Sequence, residues 1–138
     1  MGNAQSMKKI NFEDVQSILT NSNYLLINTL IESEQQHLII NTVSISQEET
    51  ILNTCLKTKK NVNIVIYGRN CNDEKIHSKY QQLKSLGFSN IYVYIGGLFE
   101  WLMLQDIYGF ENFPTLLKYH DFLKYKPSAL LNVRLIGN

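Results

Sequence analysis

Residues 63–101 read NIVIYGRNCNDEKIHSKYQQLKSLGFSNIYVYIGGLFEW. Asn63–Tyr67 is a short apolar, β-branched run, the composition of a strand covered on both faces. Gly68–Asn72 is rich in turn formers. From Asp73 to Leu86, the residues Ile76, Tyr80, Leu83 and Leu86 recur at helical spacing, and Gly87 stands where a left-handed residue stops a helix. Ile91–Ile95 is a second apolar run. Gly96-Gly97 follow, and Leu98–Tyr108 is apolar nearly all round, as a buried helix is. Strand, loop, helix, strand and helix with short connections predict an α/β domain with a mostly parallel central sheet flanked by helices. Ligands in such folds sit at the carboxyl ends of strands, so the loop after Tyr67 is the first place to look for chemistry.

The pattern extends upstream. Phe12, Val15, Ile18 and Leu19 share a helix face, with Asn11 as N-cap and Glu13 and Asp14 in the first turn, where negative charge is favoured. Tyr24–Asn28 reads as a strand buried on both faces. Glu32–Gln36 reads as loop, and the β-branched stretch His37–Ser46 as a further strand. Ser46 and Glu49 form a capping-box pattern opening a helix with Ile51, Leu52, Cys55 and Leu56 on one face, which makes Cys55 a buried, inert thiol. Downstream, Leu116–Lys124 reads as one more helix. The expected organisation is a flexible segment 1–9, a domain over 10–112 and a C-terminal extension over 113–138.

Composition excludes several classes. A chain of 138 residues with 44% hydrophobic content is one ordinary globular domain. Two cysteines make no disulfide framework. No apolar run approaches the ~18–20 residues of a membrane span, and no secretory signal is evident, so a reducing, cytoplasmic location is expected. The net charge of +1 argues against a nucleic-acid binder. That charge is unevenly spread: residues 11–113 hold seven basic and eleven acidic side chains, between basic ends. His37, His77 and His120 share no metal-ligand spacing with each other or with the cysteines, and no phosphate-loop or dinucleotide fingerprint occurs, so no metal or cofactor is expected.

The strand, the loop, the helix ending Leu86-Gly87-Phe88, the strand Ile91–Ile95 and then Gly96-Gly97-Leu98-Phe99-Glu100-Trp101 resemble the rhodanese-like, or sulfurtransferase homology, family. The Gly-Gly-x-x-x-Trp portion matches the family's pattern residue for residue. Leu26-Ile27-Asn28-Thr29 and His37-Leu38-Ile39 occupy the places of two weaker upstream patterns. The resemblance covers roughly residues 10–110 and implies the rhodanese-like fold. Trp101 itself reads as a core aromatic.

Active members of that family carry a persulfide on a cysteine at the start of the loop, cradled by backbone N–H groups at a helix N-terminus. The resemblance puts that position on Gly68 when counted from the strand, and on Asn70 when counted back from Leu86-Gly87-Phe88. Neither is a cysteine. The strand count also sets Asp73 where the family often has an arginine, and Asn28 and Leu30 where many active members have an acid and an arginine. The active-site loop, Gly68, Arg69, Asn70, Cys71, Asn72 and Asp73, is therefore expected to belong to a catalytically inactive or altered member, a binding or regulatory module with a protein partner. The alternative is a thiosulfate-type sulfurtransferase acting on a small sulfur-containing substrate. In it Cys71 is the nucleophile of an expanded loop, its thiolate favoured by the helix N-terminus and Arg69. A phosphatase variant is disfavoured, because Asn72, Asp73, Glu74 and Lys75 follow Cys71 in place of a phosphate-binding arginine.

Met1-Gly2-Asn3-Ala4-Gln5-Ser6 fits the N-myristoylation acceptor pattern, with Lys8 and Lys9 next in sequence. Acylation of Gly2 and peripheral membrane association through the N-terminus are the corresponding expectations. A single acyl chain binds membranes only marginally and needs a second signal.

Overall fold

The computed structural model describes residues 7–131. Four parallel strands form its sheet: β1 (Lys8–Ile10), β2 (Tyr24–Asn28), β3 (Asn63–Tyr67) and β4 (Ile91–Tyr94), in the order β1-β4-β3-β2. The helices are α1 (Phe12–Ile18), α2 (Ile45–Thr58), α3 (Lys75–Leu86) and α4 (Gly97–Tyr108). Single 3-10 turns span Glu32–His37 and Phe122–Tyr125. The architecture is the predicted one, an α/β domain with helices on both faces of a parallel sheet.

Alternation along β3 explains the two layers. Val65 and Tyr67 point into a core shared with α1, α4 and the C-terminal segment, while Ile64 and Ile66 point into one shared with α2 and α3. All four side chains are buried, which is why the strand reads as a continuous apolar run. Trp101 is the largest buried residue. It packs edge-on against Phe113 (5.0 Å between centroids) and Tyr94 (6.1 Å), and its indole N–H donates to the Pro114 carbonyl at 3.2 Å.

Local signals placed most helix ends. Asn11 caps α1 in a full capping box with Asp14, and Gly87 closes α3 at φ +116°. Four expectations are corrected. His37–Ser46 is not a strand. Asn41, at φ +67°, breaks it, and its halves find different partners: Ile40 N–H donates to Pro114 O and Leu38 O accepts from Leu116 N–H, while Val43 N–H donates to Leu26 O. The α2 helix starts at Ile45 with Ser44 in the cap position, so Ser46 lies in the first turn and forms no capping box. Cys55 is half-buried against the α2/α3 core. Finally, Leu116–Lys124 is not one continuous helix. Lys8–Ile10 pairs with β4 as the edge strand, because that edge is otherwise open. Phe113, Thr115 and Tyr125 are buried, so the extension closes the core, and only its Phe122–Tyr125 turn is helical. Gly2 lies outside the described residues. Among those described, no helix is long and apolar enough to cross a membrane.

Candidate functional site

The loop between β3 and α3 emerges at the carboxyl ends of β2, β3 and β4, where all four parallel strands deliver their following connections. Its backbone is held by the start of α4: Leu98 N–H donates to Gly68 O at 2.9 Å and Phe99 N–H to Arg69 O at 2.8 Å. These are N–H groups that a helix N-terminus leaves without partners of its own. Gly97 makes this approach feasible. It sits at φ +69°, and a Cβ there would stand 2.8 Å from Gly68 O and 2.9 Å from Asn70 N.

Asp73 occupies the mouth of the loop. Its Oδ2 accepts from the Arg69 N–H at 3.0 Å and the Thr29 hydroxyl at 2.7 Å, and its Oδ1 accepts from the Lys75 N–H at 2.9 Å. A side chain at Gly68 would run into this carboxylate, its Cβ only 2.7 Å from Asp73 Cγ. The Arg69 and Lys75 N–H groups, two of the donors an anion at this loop would use, are thus taken by an internal carboxylate. The requirement that Asp73 reach back into the loop also explains why α3 begins at Lys75 and not at Asp73.

Arg69 is similarly engaged. One guanidinium nitrogen pairs with Glu34, another donates to Lys124 O at 2.7 Å, and the group lies 4.8 Å above the Tyr125 ring. Asn70 donates to Tyr125 O at 2.8 Å and accepts from the Asn72 N–H at 2.8 Å. Cys71 is exposed. Its thiol points to Asn72 Oδ1 at 3.8 Å, and among the described residues no N–H donates to its sulfur. Asn28 is buried and turns its carboxamide to Leu30 N–H and Gln35, a local structural role. The loop residues expected from the sequence are therefore together, but Thr29, Glu34, Lys124 and Tyr125 were missed. They reach the loop from 35 to 55 positions away, and no spacing signal marks such partners.

Beside the loop lies an open hollow of 560 Å³, lined by Arg69, Asn70, Asn72, Asp73, Lys124 and Lys126 among others. No group of three or more histidine, cysteine or carboxylate side chains among the described residues could hold a metal ion.

Three tyrosines around the site are buried enough to resist ionisation. Burial raises Tyr67, whose hydroxyl bonds Ile39 N–H and Thr42. Burial also raises Tyr94, and its bond to Glu100 at 2.6 Å adds to the shift. Tyr125 is pushed up to about 12 by burial, then by the charge of Glu34. A phenol that stays neutral when folded but ionises near 10 when unfolded leaves stability unaffected below pH ~10 and removes it above. Urea midpoints measured from pH 8 to 12 should be level to about pH 10 and then fall, by at most ~1.4 kcal/mol per pH unit for each such tyrosine. A level profile up to pH 12 would contradict the burial of these hydroxyls.

Residues 10–104 match the family model described as Rhodanese-like domain. No curated protein matches the chain. Among solved structures, the Alr3790 protein from Anabaena sp. is similar at a TM-score of 0.56 and 21% identity, covering 77% of this chain and 79% of that one. The Saccharomyces cerevisiae single-domain sulfurtransferase RDL2 is similar at a TM-score of 0.53 and 17% identity, covering 74% of this chain and 94% of that one. A variant of EanB, in complex with ergothioneine covalently linked to a cysteine persulfide, is similar at 0.53 and 14% identity over 64% of this chain. The present chain spans 24% of the length of EanB. At these identities the likeness establishes the fold. The matched span and the parallel sheet with its β3–α3 loop lead to one conclusion: the chain belongs to the rhodanese-like domain family.

Proposed function

We propose that this rhodanese-like domain acts as a binding or regulatory module and does not carry out sulfur transfer. One observation carries the reading: the Asp73 carboxylate, held by Arg69 N–H and the Thr29 hydroxyl, fills the place a reactive side chain at position 68 would need. A persulfide is an anion and needs N–H donors and positive potential. Here a fixed carboxylate takes the Arg69 and Lys75 N–H groups, and Glu34 pairs with the nearest guanidinium. The hollow beside the loop, with side chains of both signs, is the docking place such a module offers a protein partner.

The competing reading makes Cys71 a persulfide-carrying nucleophile, and its exposure favours that reading. The two separate in one measurement. The purified chain is incubated with thiosulfate, its intact mass is read, and turnover with cyanide is assayed in parallel. The module reading expects no added sulfur and no turnover above buffer. A sulfur adduct that disappears in Cys71→Ser, together with enzymatic turnover, would establish the sulfurtransferase instead.

A further inference from the structure

The connections at the two ends of the parallel sheet differ in charge. At the carboxyl end, around the loop, the signs are mixed: Glu34, Glu48, Asp73 and Glu74 lie among Arg69, Lys75, Lys79, Lys124 and Lys126. At the amino end, the connections entering β2, β3 and β4 are residues 19–23 (LTNSN), 57–62 (KTKKNV) and 84–90 (KSLGFSN), and they contain no carboxylate. Lys57, Lys59, Lys60 and Lys84 project there, joined by Lys8 at the start of β1, and all five are exposed. None forms an ion pair among the described residues. Lys8, Lys84 and Tyr80 line a hollow of 640 Å³ floored by Phe88 and Ile91, and the Lys60 ammonium lies beside Gly87 on its rim. The acids of this pole, Asp106 and Glu111, stand at the end of α4, on either side of Ile107 and Tyr108 in sequence.

Apolar side chains share the pole. Leu86 is 43% exposed, and at the end of α4, which returns to this end of the sheet, Ile107 and Tyr108 are 61% and 62% exposed. Unpaired lysines flanked by an exposed tyrosine and aliphatic residues suit the headgroup region of a bilayer, where cations meet lipid phosphates and amphipathic rings settle at the interface. A phosphodiester backbone would make no use of Ile107 or Leu86. The segment 1–6, with its acceptor pattern at Gly2, joins the fold at Met7 on this same pole.

We infer that the amino-terminal pole of the sheet is a docking surface for an anionic lipid bilayer. It holds the domain with its β3–α3 loop turned away from the membrane. An ammonium near an anionic leaflet is worth about fivefold in partitioning. The test is sedimentation of the purified full-length chain with vesicles of phosphatidylcholine alone or with about a third phosphatidylserine. Binding is expected only to the phosphatidylserine vesicles, with loss on raising salt, since exposed charges are screened. Replacing Lys60 and Lys84 by alanine should weaken it about 25-fold, whereas the charge-matched pair Lys75→Ala and Lys124→Ala, beside the loop, should leave it unchanged. Absence of binding to the anionic vesicles would overturn the inference, as would an equal loss in the two double variants. So would unchanged binding in Ile107→Ser/Tyr108→Ser accompanied by equally tight binding to double-stranded DNA, which would make the pole a nucleic-acid surface.

Discussion

Replacing Tyr125 by alanine should destabilise the domain by about 3–5 kcal/mol, the range for truncating a large buried aromatic. Tyr125 is wholly buried although it lies in a segment of irregular backbone. Its ring stacks edge-on with Tyr119 at 5.9 Å and lies under the Arg69 guanidinium, and its carbonyl accepts from Asn70. The substitution removes the packing and frees the strap over the loop. Hydrogen exchange should then show the amides of Leu116 and Ile40, which pair this segment with residues 38 and 114, losing protection while Ile64–Tyr67 in β3 keep theirs. A loss of stability below about 1 kcal/mol would mean that the C-terminal segment is an appendage and not a wall of the core.

Gly97→Ala should cost about 3 kcal/mol or more, because two penalties coincide. The backbone sits at φ +69°, where an L side chain pays ~1–2 kcal/mol. The added methyl would also press on Gly68 O and Asn70 N, neither of which can rotate away. Relief requires the loop to retreat from α4, breaking the bonds from Leu98 N–H and Phe99 N–H. Gly87→Ala is the informative comparison. It too has positive φ, but the nearest atom to its added Cβ is a flexible lysine methylene at 3.6 Å. Urea unfolding should place it near the backbone penalty alone, ~1–2 kcal/mol. Equal losses at the two glycines would remove the close approach of loop to helix as the reason for the Gly-Gly pair.

The contrast between legible and illegible parts follows from distance along the chain. The N-cap at Asn11, the stop at Gly87 and the two-faced apolar run at Ile64–Tyr67 are built from neighbours within a few residues, and each was readable. His37–Ser46 has strand composition, yet Asn41 in a left-handed conformation divides it between Leu26 and Pro114. Propensity describes how such residues sit on a pleated surface and not which surface they find. The loop shows the same division. That position 68 lacks a cysteine, and that an acid stands at 73, could be seen directly. That the acid turns inward to take the loop's donors could not, because Thr29 reaches it from 44 positions away.

Composition and periodicity thus determined the class of fold and the order of its main elements, since these depend on local pattern, and residue identity showed no cysteine at either position that the family resemblance marked. The tertiary structure alone decided the rest. It brought Glu34 and the Tyr125 strap onto Arg69, set the Asp73 carboxylate into the loop mouth, and made Phe113–Tyr125 part of the core. The basic ends of the chain went to opposite ends of the sheet: Lys8 joins lysines of the acidic middle at one pole, and Lys124 belongs to the strap over the loop. Parallel strands gather every entering connection at one end of the sheet and every departing one at the other, so residues remote in sequence share an environment that no window along the chain contains.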